Sequence, residues 1–481
     1  MVINKWVFVY SEGHSLIKNG AWFVGFTDFS NVPGMLNDIL YINRDGLQIC
    51  YTTQEELDRV KEEGKVFFNE TYQKKFKKAI DKCINNFIML YDSYKTMNLR
   101  KLTNKELLCL FNKYIECECV LLAHYQVGGG RSFPLLEKYV KDGLVKQFSE
   151  SEFNKNCTLL LSSHEIDILE KEEISLLDLG LNPSDEVLLE HANNYSFQFY
   201  NTYEIEIILN FLKERSKKLN QNYGSSKNYL EKKNKRKKLL LNEQKKQFNK
   251  IKNKKLKNLI LFLREQGKLR LEYKEWKAGE EYKFLELFRE ISRRIGISLK
   301  EYLSTYKIED TQLFLNKGKT IELKERDARK KIFVYFQKDG KKQFASGNKA
   351  EYLVEKILGK SKNKLTELKG ISASSGKVTG KIRIILPIGI KEVQEDMKHF
   401  EEGDILVTTM TQPNILLIMK KASAIITDQG GMTSHAAVIS RELGVPCIVG
   451  TYNATRILNN GDLVEVDADN GVIKIIKKSN N

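Results

Sequence analysis

The sequence predicts an α+β protein: a large, mostly α-helical N-terminal region with a small β-containing start, followed by a compact C-terminal domain of short strands and helices. Three observations predict it. Between about residues 53 and 303, apolar residues recur at three- and four-residue steps, the period of helices that bury one stripe. Beyond residue 370 the period gives way to short β-branched runs punctuated by glycine and proline. The length, 481 residues, corresponds to two to four domains, and 41% hydrophobic residues suffice to build real cores.

The elements follow in order. Residues 1–52 hold the apolar-aromatic runs Trp6–Tyr10, Ala21–Phe26 and Ile39–Ile42, which read as short strands or loop segments packing on the helical region. Residues 53–355 form that region. Thr53, followed by Glu55 and Glu56, starts a helical stretch that carries Val60, Phe67, Phe76, Ile80 and Phe87 toward Met97. Thr103-Asn-Lys-Glu106 is a capping box ahead of Leu107, Phe111 and Tyr114. A further helix starts near Pro183–Glu186 and includes Leu188 and His191, and several more run from Tyr203 to about Leu303. Residues 356–369, rich in Lys, Gly, Ser and Asn, read as a linker. In residues 370–477, strands are expected at Lys377–Ile385, Asp404–Thr408, Ala424–Thr427, Pro446–Val449 and Val464–Val466. Helices are expected between them at Ile390–Phe400, Asn414–Lys421 and Ser434–Leu443.

The formal net charge is +17, and it peaks between Lys213 and Lys257. Such a stripe can attract nucleic acid or an anionic membrane surface. Here Leu241, Phe248, Ile251, Leu259 and Phe262 recur among the lysines at helical spacing, which makes it the solvated face of an amphipathic helix or a rim for an acidic partner. No uncharged apolar run of transmembrane length appears, and the N-terminus lacks the regions of a signal peptide. The seven cysteines have no framework spacing, so free thiols and a cytoplasmic location are expected. Cys117-x-Cys119 lacks a second Cys/His pair, and no metal site is expected. Gly128-Gly-Gly-Arg131 lacks the Lys-Ser/Thr ending of a phosphate loop and reads as a turn.

The segment that carries chemistry is Thr427-Asp-Gln-Gly-Gly-Met-Thr-Ser-His-Ala-Ala-Val438. A strand ends at Thr427. Gly430 and Gly431 permit a tight turn and close approach of backbone to a phosphoryl group. Thr433 or Ser434 caps the next helix, and His435 falls in its first turn, where free N–H groups and the helix dipole favour an anion. Imidazole is a nucleophile at neutral pH and can carry a phosphoryl group covalently. The same arrangement also suits a histidine that only caps the helix.

The wider pattern comprises Gly370-Ile-Ser-Ala-Ser-Ser-Gly376 with Gly380-Lys-Ile-Arg383, Gly403-Asp-Ile-Leu-Val407, Thr411-Gln-Pro-Asn414, Gly430–Val438 and Arg441-Glu-Leu-Gly-Val-Pro446. It resembles the phosphohistidine swivelling domain of the phosphoenolpyruvate-utilising enzymes, the family of phosphoenolpyruvate synthase, pyruvate phosphate dikinase and rifampin phosphotransferase. The resemblance implies a β/β/α swivelling fold, His435 as the phosphorylated residue, and Thr433 and Ser434 as its companions. Ser375 stands where the family usually has proline, and Gln429 where an acidic residue is common. More weakly, Arg264–Lys268, Trp276, Glu286, Gly296 and Arg326–Arg329 resemble the helical segment that precedes the swivelling domain. Arg264, Lys268 and Arg326 are candidates for binding an anionic acceptor, although charged residues on helices are more often solvated or paired.

Full-length members carry an ATP-grasp domain and many carry a phosphoenolpyruvate-binding barrel, and neither is expected in this chain. The resemblance therefore implies a transferase of phosphorus-containing groups that works as one subunit of a split enzyme. A separate ATP-grasp protein, holding ATP and Mg2+, would load His435, and no cofactor is expected on this chain itself. The acceptor would be a small molecule bound by the helical region. A non-catalytic binding or regulatory protein that retains the domain, and a polyanion-binding protein, are the alternatives.

Overall fold

The computed structural model describes residues 6–479 apart from 14, 29–31, 45, 128–131, 162–164, 200, 360–366, 387–388, 412–414 and 431–433. Gly128–Arg131 thus lies outside the described residues. The chain is α+β as predicted, with a helical body, a five-stranded sheet at one side of it, and a C-terminal domain around an eight-stranded sheet.

The five-stranded sheet is antiparallel, in the order β1-β3-β2-β4-β5. Its strands are β1 (Trp6–Gly13), β2 (Ile39–Arg44), β3 (Leu47–Thr53), β4 (Ile332–Lys338) and β5 (Lys341–Ser346). The last two lie in the stretch expected to be helical. They form a hairpin closed by Asp339-Gly340, whose φ angles of 50° and 74° give the left-handed two-residue turn that matches strand twist. A second correction concerns Ala21–Phe26, expected as a strand or loop, which lies inside the helix Leu16–Thr27. Ser15 caps that helix by accepting from the Lys18 N–H. It is buried almost all round, so its apolar residues run together and hide the helical period.

In the helical body, Thr53 caps Gln54–Glu63 through the Glu56 N–H. The long helix expected from Thr53 breaks at Gly64–Phe68, where the backbone passes so close to Ser132 that a Cβ on Gly64 would lie 1.7 Å from its carbonyl oxygen. It resumes as Glu70–Tyr94. The Thr103 box is present in both directions: Thr103 N–H donates to Glu106 at 2.7 Å and Glu106 N–H to Thr103 Oγ1 at 3.2 Å. Trp22, Tyr41, Phe87, Tyr114, Phe284 and Tyr302 share one core cluster, and Phe67, Phe76, Phe133 and Phe262 another.

Several ionic groups are buried in this body, among them those around Lys18 and Glu172. Lys18 reaches Glu280 and the Lys277 carbonyl, with Glu118 at 3.9 Å and Glu281 held by Ser15. Burial and mutual repulsion lift Glu118 and Glu280 above the usual carboxylate range, against the pull of Lys18. Glu172 takes Arg215 at 2.7 and 3.2 Å and His191 at 3.3 Å. Burial would raise its pKa, but Arg215 and these hydrogen bonds hold it down at about 2.

The helix Gly347–Leu358 ends the body, so the first residues of the expected linker close a helix. Its last ones, β6 (Glu367–Lys369), are already a strand of the eight-stranded sheet. The other strands are β7 (Ile371–Ser374), β8 (Lys377–Ile384), β9 (Ile405–Thr408), β10 (Ala424–Thr427), β11 (Cys447–Val449), β12 (Leu463–Asp467) and β13 (Val472–Lys477), in the order β6-β13-β12-β8-β9-β10-β11-β7. From β8 to β11 the pairing is parallel, and the remaining pairs are antiparallel. Alternation sorts the central strands between two cores. Leu406, Ile425, Cys447 and Val449 pack on the crossover helices through Val393, Ile418, Ala436 and Ala437. Ile405, Val407, Ala424, Ile426 and Ile448 pack on Val464, Val466 and Ile473. The result is a β-ribbon layer, a parallel layer and a helical layer. Strands buried on both faces read as unbroken apolar runs, which is why Ala424-Ile-Ile-Thr427 is legible in sequence.

Candidate functional site

The site lies at the carboxyl end of β10, where parallel sheets of this kind present their ligand-binding loops. The loop leaving Thr427 is stitched to both neighbours. Asp428 and Gln429 N–H groups donate to the Thr408 and Thr409 carbonyls at 3.1 and 2.9 Å. On the other side, Thr451 and Tyr452 N–H groups donate to Thr427 and Asp428 at 3.1 and 2.9 Å. Gly430 has φ 116°, and a Cβ there would meet Ser434 Oγ at 2.9 Å, so the turn requires glycine. Ser434 then caps the helix His435–Leu443, its hydroxyl accepting from the Ala437 N–H at 3.4 Å. The helix ends at Gly444 in the left-handed conformation, and Arg441 Nε ties it to the Ala373 carbonyl of β7 at 2.8 Å.

His435 is therefore the first residue of a nine-residue helix, and the described start of the loop before it, Asp428 and Gln429, is bonded to neighbouring backbone. Its side chain, together with Gly431 and Thr433, lies outside the described residues. A histidine there stands among free N–H groups and the positive end of the helix dipole, which suits an imidazole that carries an anionic group.

Sequence reasoning missed three residues that shape this end of the domain. Asp428 is buried and accepts from Thr455 N–H at 3.1 Å and from the Thr455 and Thr451 hydroxyls. Burial raises its pKa against those bonds. Arg456, in the same turn, bonds Tyr51 Oη and stands 5.1 Å from the Phe8 ring. Tyr452 packs edge-on against Phe8 at 6.4 Å. The loop leading to His435 is thus bonded to the very segment that touches the five-stranded sheet. An Asp directly after a strand was the available signal for the first; nothing in the sequence pairs Arg456 with Tyr51. At the other side, Ile390 N–H donates to Thr202 Oγ1 at 3.1 Å, and its side chain joins the cluster of Phe199 and Leu212.

The three candidate acceptor residues divide. Arg264 and Lys268 line one cavity of about 510 Å³ between the helices Glu70–Tyr94, Ser226–Lys250 and Lys254–Glu272. Arg326 does not join them: it pairs with Glu301 at 3.0 Å on another face of the body. The basic stretch is partly neutralised in place, Lys213 by Asp185 and Lys237 by Glu170. Among the described residues no helix is long and apolar enough to cross a membrane, and no group of three His, Cys, Asp or Glu side chains is placed to hold a metal.

The domain thus joins a layered sheet to a helix that starts at a strand end. Residues 400–471 match the family model described as PEP-utilising enzyme, mobile domain. The chain is 50% identical over 106 residues to a probable phosphoenolpyruvate synthase of Archaeoglobus fulgidus, a match that covers 22% of this chain and 13% of that protein. It is 41% identical over 130 residues to an uncharacterized phosphotransferase, YvkC, of Bacillus subtilis, covering 27% of this chain and 15% of that one. A solved structure, aconitase X of Thermococcus kodakaraensis, aligns with 23% of this chain and 98% of its own at 20% identity, with a TM-score of 0.18. The chain thus spans about an eighth to a sixth of the curated relatives it matches. Within residues 400–471 the chain thus resembles the mobile domain of the phosphoenolpyruvate-utilising enzymes.

Proposed function

We propose that the protein is a phosphotransferase component of the phosphoenolpyruvate synthase kind, with His435 as its phosphoryl carrier. The observation that carries this reading is the placement of His435 at the amide-rich start of a helix, directly after a loop whose turn requires Gly430. In the first half-reaction an imidazole nitrogen attacks a phosphoryl group of ATP. The P–N bond forms as the P–O bond to the departing nucleotide breaks, and the ring proton leaves to solvent or a nearby base. In the second, an acceptor oxygen forms the new P–O bond, the P–N bond breaks, and the imidazole regains its proton. Ser434 holds the helix start, while Thr433, Gly430 and Gly431 would present hydroxyl and backbone donors to the phosphoryl oxygens.

ATP and Mg2+ would be held by a separate ATP-grasp protein, and the acceptor by the helical region, where Arg264 and Lys268 share a cavity. The mobile domain would move between these stations, and its contact through Arg456 and Tyr452 would be the resting one. The test incubates the full chain with a candidate ATP-grasp partner and ATP labelled on both its β- and γ-phosphoryl groups. Acid-labile label on the chain is expected, absent from His435→Ala. Equal labelling of that variant would overturn the assignment. Partner binding without labelling, unaffected by His435→Ala, would instead favour the regulatory reading.

A further inference from the structure

The cavity that Arg264 and Lys268 line has a composition that goes beyond those two residues. Both of its carboxylates are already engaged. Glu165 pairs with Lys268 at 2.5 Å, and Glu265 with Lys77 at 2.6 Å. Arg264 is left over: among the described residues its guanidinium forms no ion pair and no hydrogen bond, and it stands 5.9 Å from the Phe248 ring. It is half-buried, and burial pulls its pKa below the ordinary guanidinium value despite Glu165 and Glu265 nearby. A partly desolvated guanidinium without an anion is costly, and five donors in a planar fork suit a carboxylate or another oxyanion. Asn258 accepts from Gln73 at 3.0 Å, and its own amide nitrogen has no partner among the described residues. Leu241, Leu261, Phe248 and Phe262 supply the apolar wall. The volume, about 510 Å³, is that of a site for a drug-sized molecule rather than a bare ion.

We infer that this cavity is a binding site for a small organic oxyanion, with a carboxylate, sulfonate or phosphate on Arg264 and an aromatic or otherwise apolar ring body against Phe248, Phe262 and Leu261. The flat ring packs on apolar side chains while the anion takes the vacant guanidinium fork and the Asn258 amide. This specifies the acceptor class for the transfer proposed above, and only in naming the occupant an acceptor does it rest on that reading. The binding itself needs neither His435 nor a phosphorylated chain.

Fluorescence titration of the full chain separates the two. The probes are anilinonaphthalene sulfonate, which has both parts of the ligand, and phenylnaphthylamine, its uncharged counterpart. One saturable sulfonate site is expected, unchanged in His435→Ala and weakened roughly tenfold or more in Arg264→Leu, with Arg264→Lys between them. The neutral probe is expected to bind more weakly than the sulfonate to the wild type and to be indifferent to Arg264→Leu. Leu261→Trp, at a half-exposed position of the wall, fills the cavity and should remove both probes without lowering the melting temperature. Superimposable sulfonate titrations of wild type and Arg264→Leu, or equal affinity for the neutral probe, would overturn the inference. Loss of labelling at His435 with the sulfonate site intact would overturn the transfer reading alone.

Discussion

Ser434 and His435 illustrate how much one helix start can hold. Ser434→Ala removes the acceptor for the Ala437 N–H and should cost about 1 kcal/mol, read from thermal melts. Because it also loosens the first turn, phosphorylation of His435 should slow in the same variant. A second residue-scale prediction concerns Glu118 and Glu280. Both are lifted above the carboxylate range, so the native state binds more protons than the unfolded chain above about pH 4.5. Their contribution is therefore greatest at low pH and falls as pH rises through the raised native values. Glu118→Gln should flatten the decline of melting temperature across that range, and an unchanged slope would reject the assignment. Glu172 behaves oppositely. Its depressed value stabilises above the unfolded carboxylate pKa, and that stability is lost as pH falls toward about 2. Arg215→Met, which strands the buried Glu172, should cost ~3–5 kcal/mol in denaturant titrations near neutral pH.

At the scale of elements, legibility followed burial pattern. Strands Ala424–Thr427 and Cys447–Val449 and the helix at His435 were readable because apolar runs between glycine turns leave few alternatives. The helix Leu16–Thr27 was not, because contacts on nearly every side remove its polar face; Ser15 as a cap was the surviving clue. The signal for the β4–β5 hairpin is Asp339-Gly340, which the sequence reading passed over, and β5 opens on two exposed lysines, Lys341 and Lys342, rather than on an apolar run. The site residues from Gly430 to Val438 form one contiguous motif, whereas Arg456 meets Tyr51 across 405 positions, and no local pattern encodes that. Arg456→Ala removes the hydrogen bond and the two ring contacts at 5.1 and 5.5 Å. Hydrogen exchange in residues 451–456 should then speed severalfold while the domain's own sheet keeps its protection. Unchanged exchange would show that the contact does not hold the domain.

At the scale of the molecule, two sheets of different kind flank one helical body, and the domain that carries His435 touches that body through small patches. Among the described residues, one patch is Arg456, Tyr452, Phe8 and Tyr51, and another is Ile390 with Thr202. Contacts made by so few side chains agree with the movement between stations proposed above. The sheet on the other flank is committed in a different way. Its second strand, complete at Arg44, waits for β4, which ends at Lys338. At ~5–20 residues per second of synthesis, that interval lasts on the order of tens of seconds. For its whole length the nascent chain exposes Ile39-Leu-Tyr-Ile42 along an unpaired edge. Ribosome-bound chains stalled before residue 332 should therefore recruit chaperones and aggregate on release, and chains stalled well beyond residue 346 should not. The strand that closes the sheet also sets when, during its own translation, this protein stops being vulnerable.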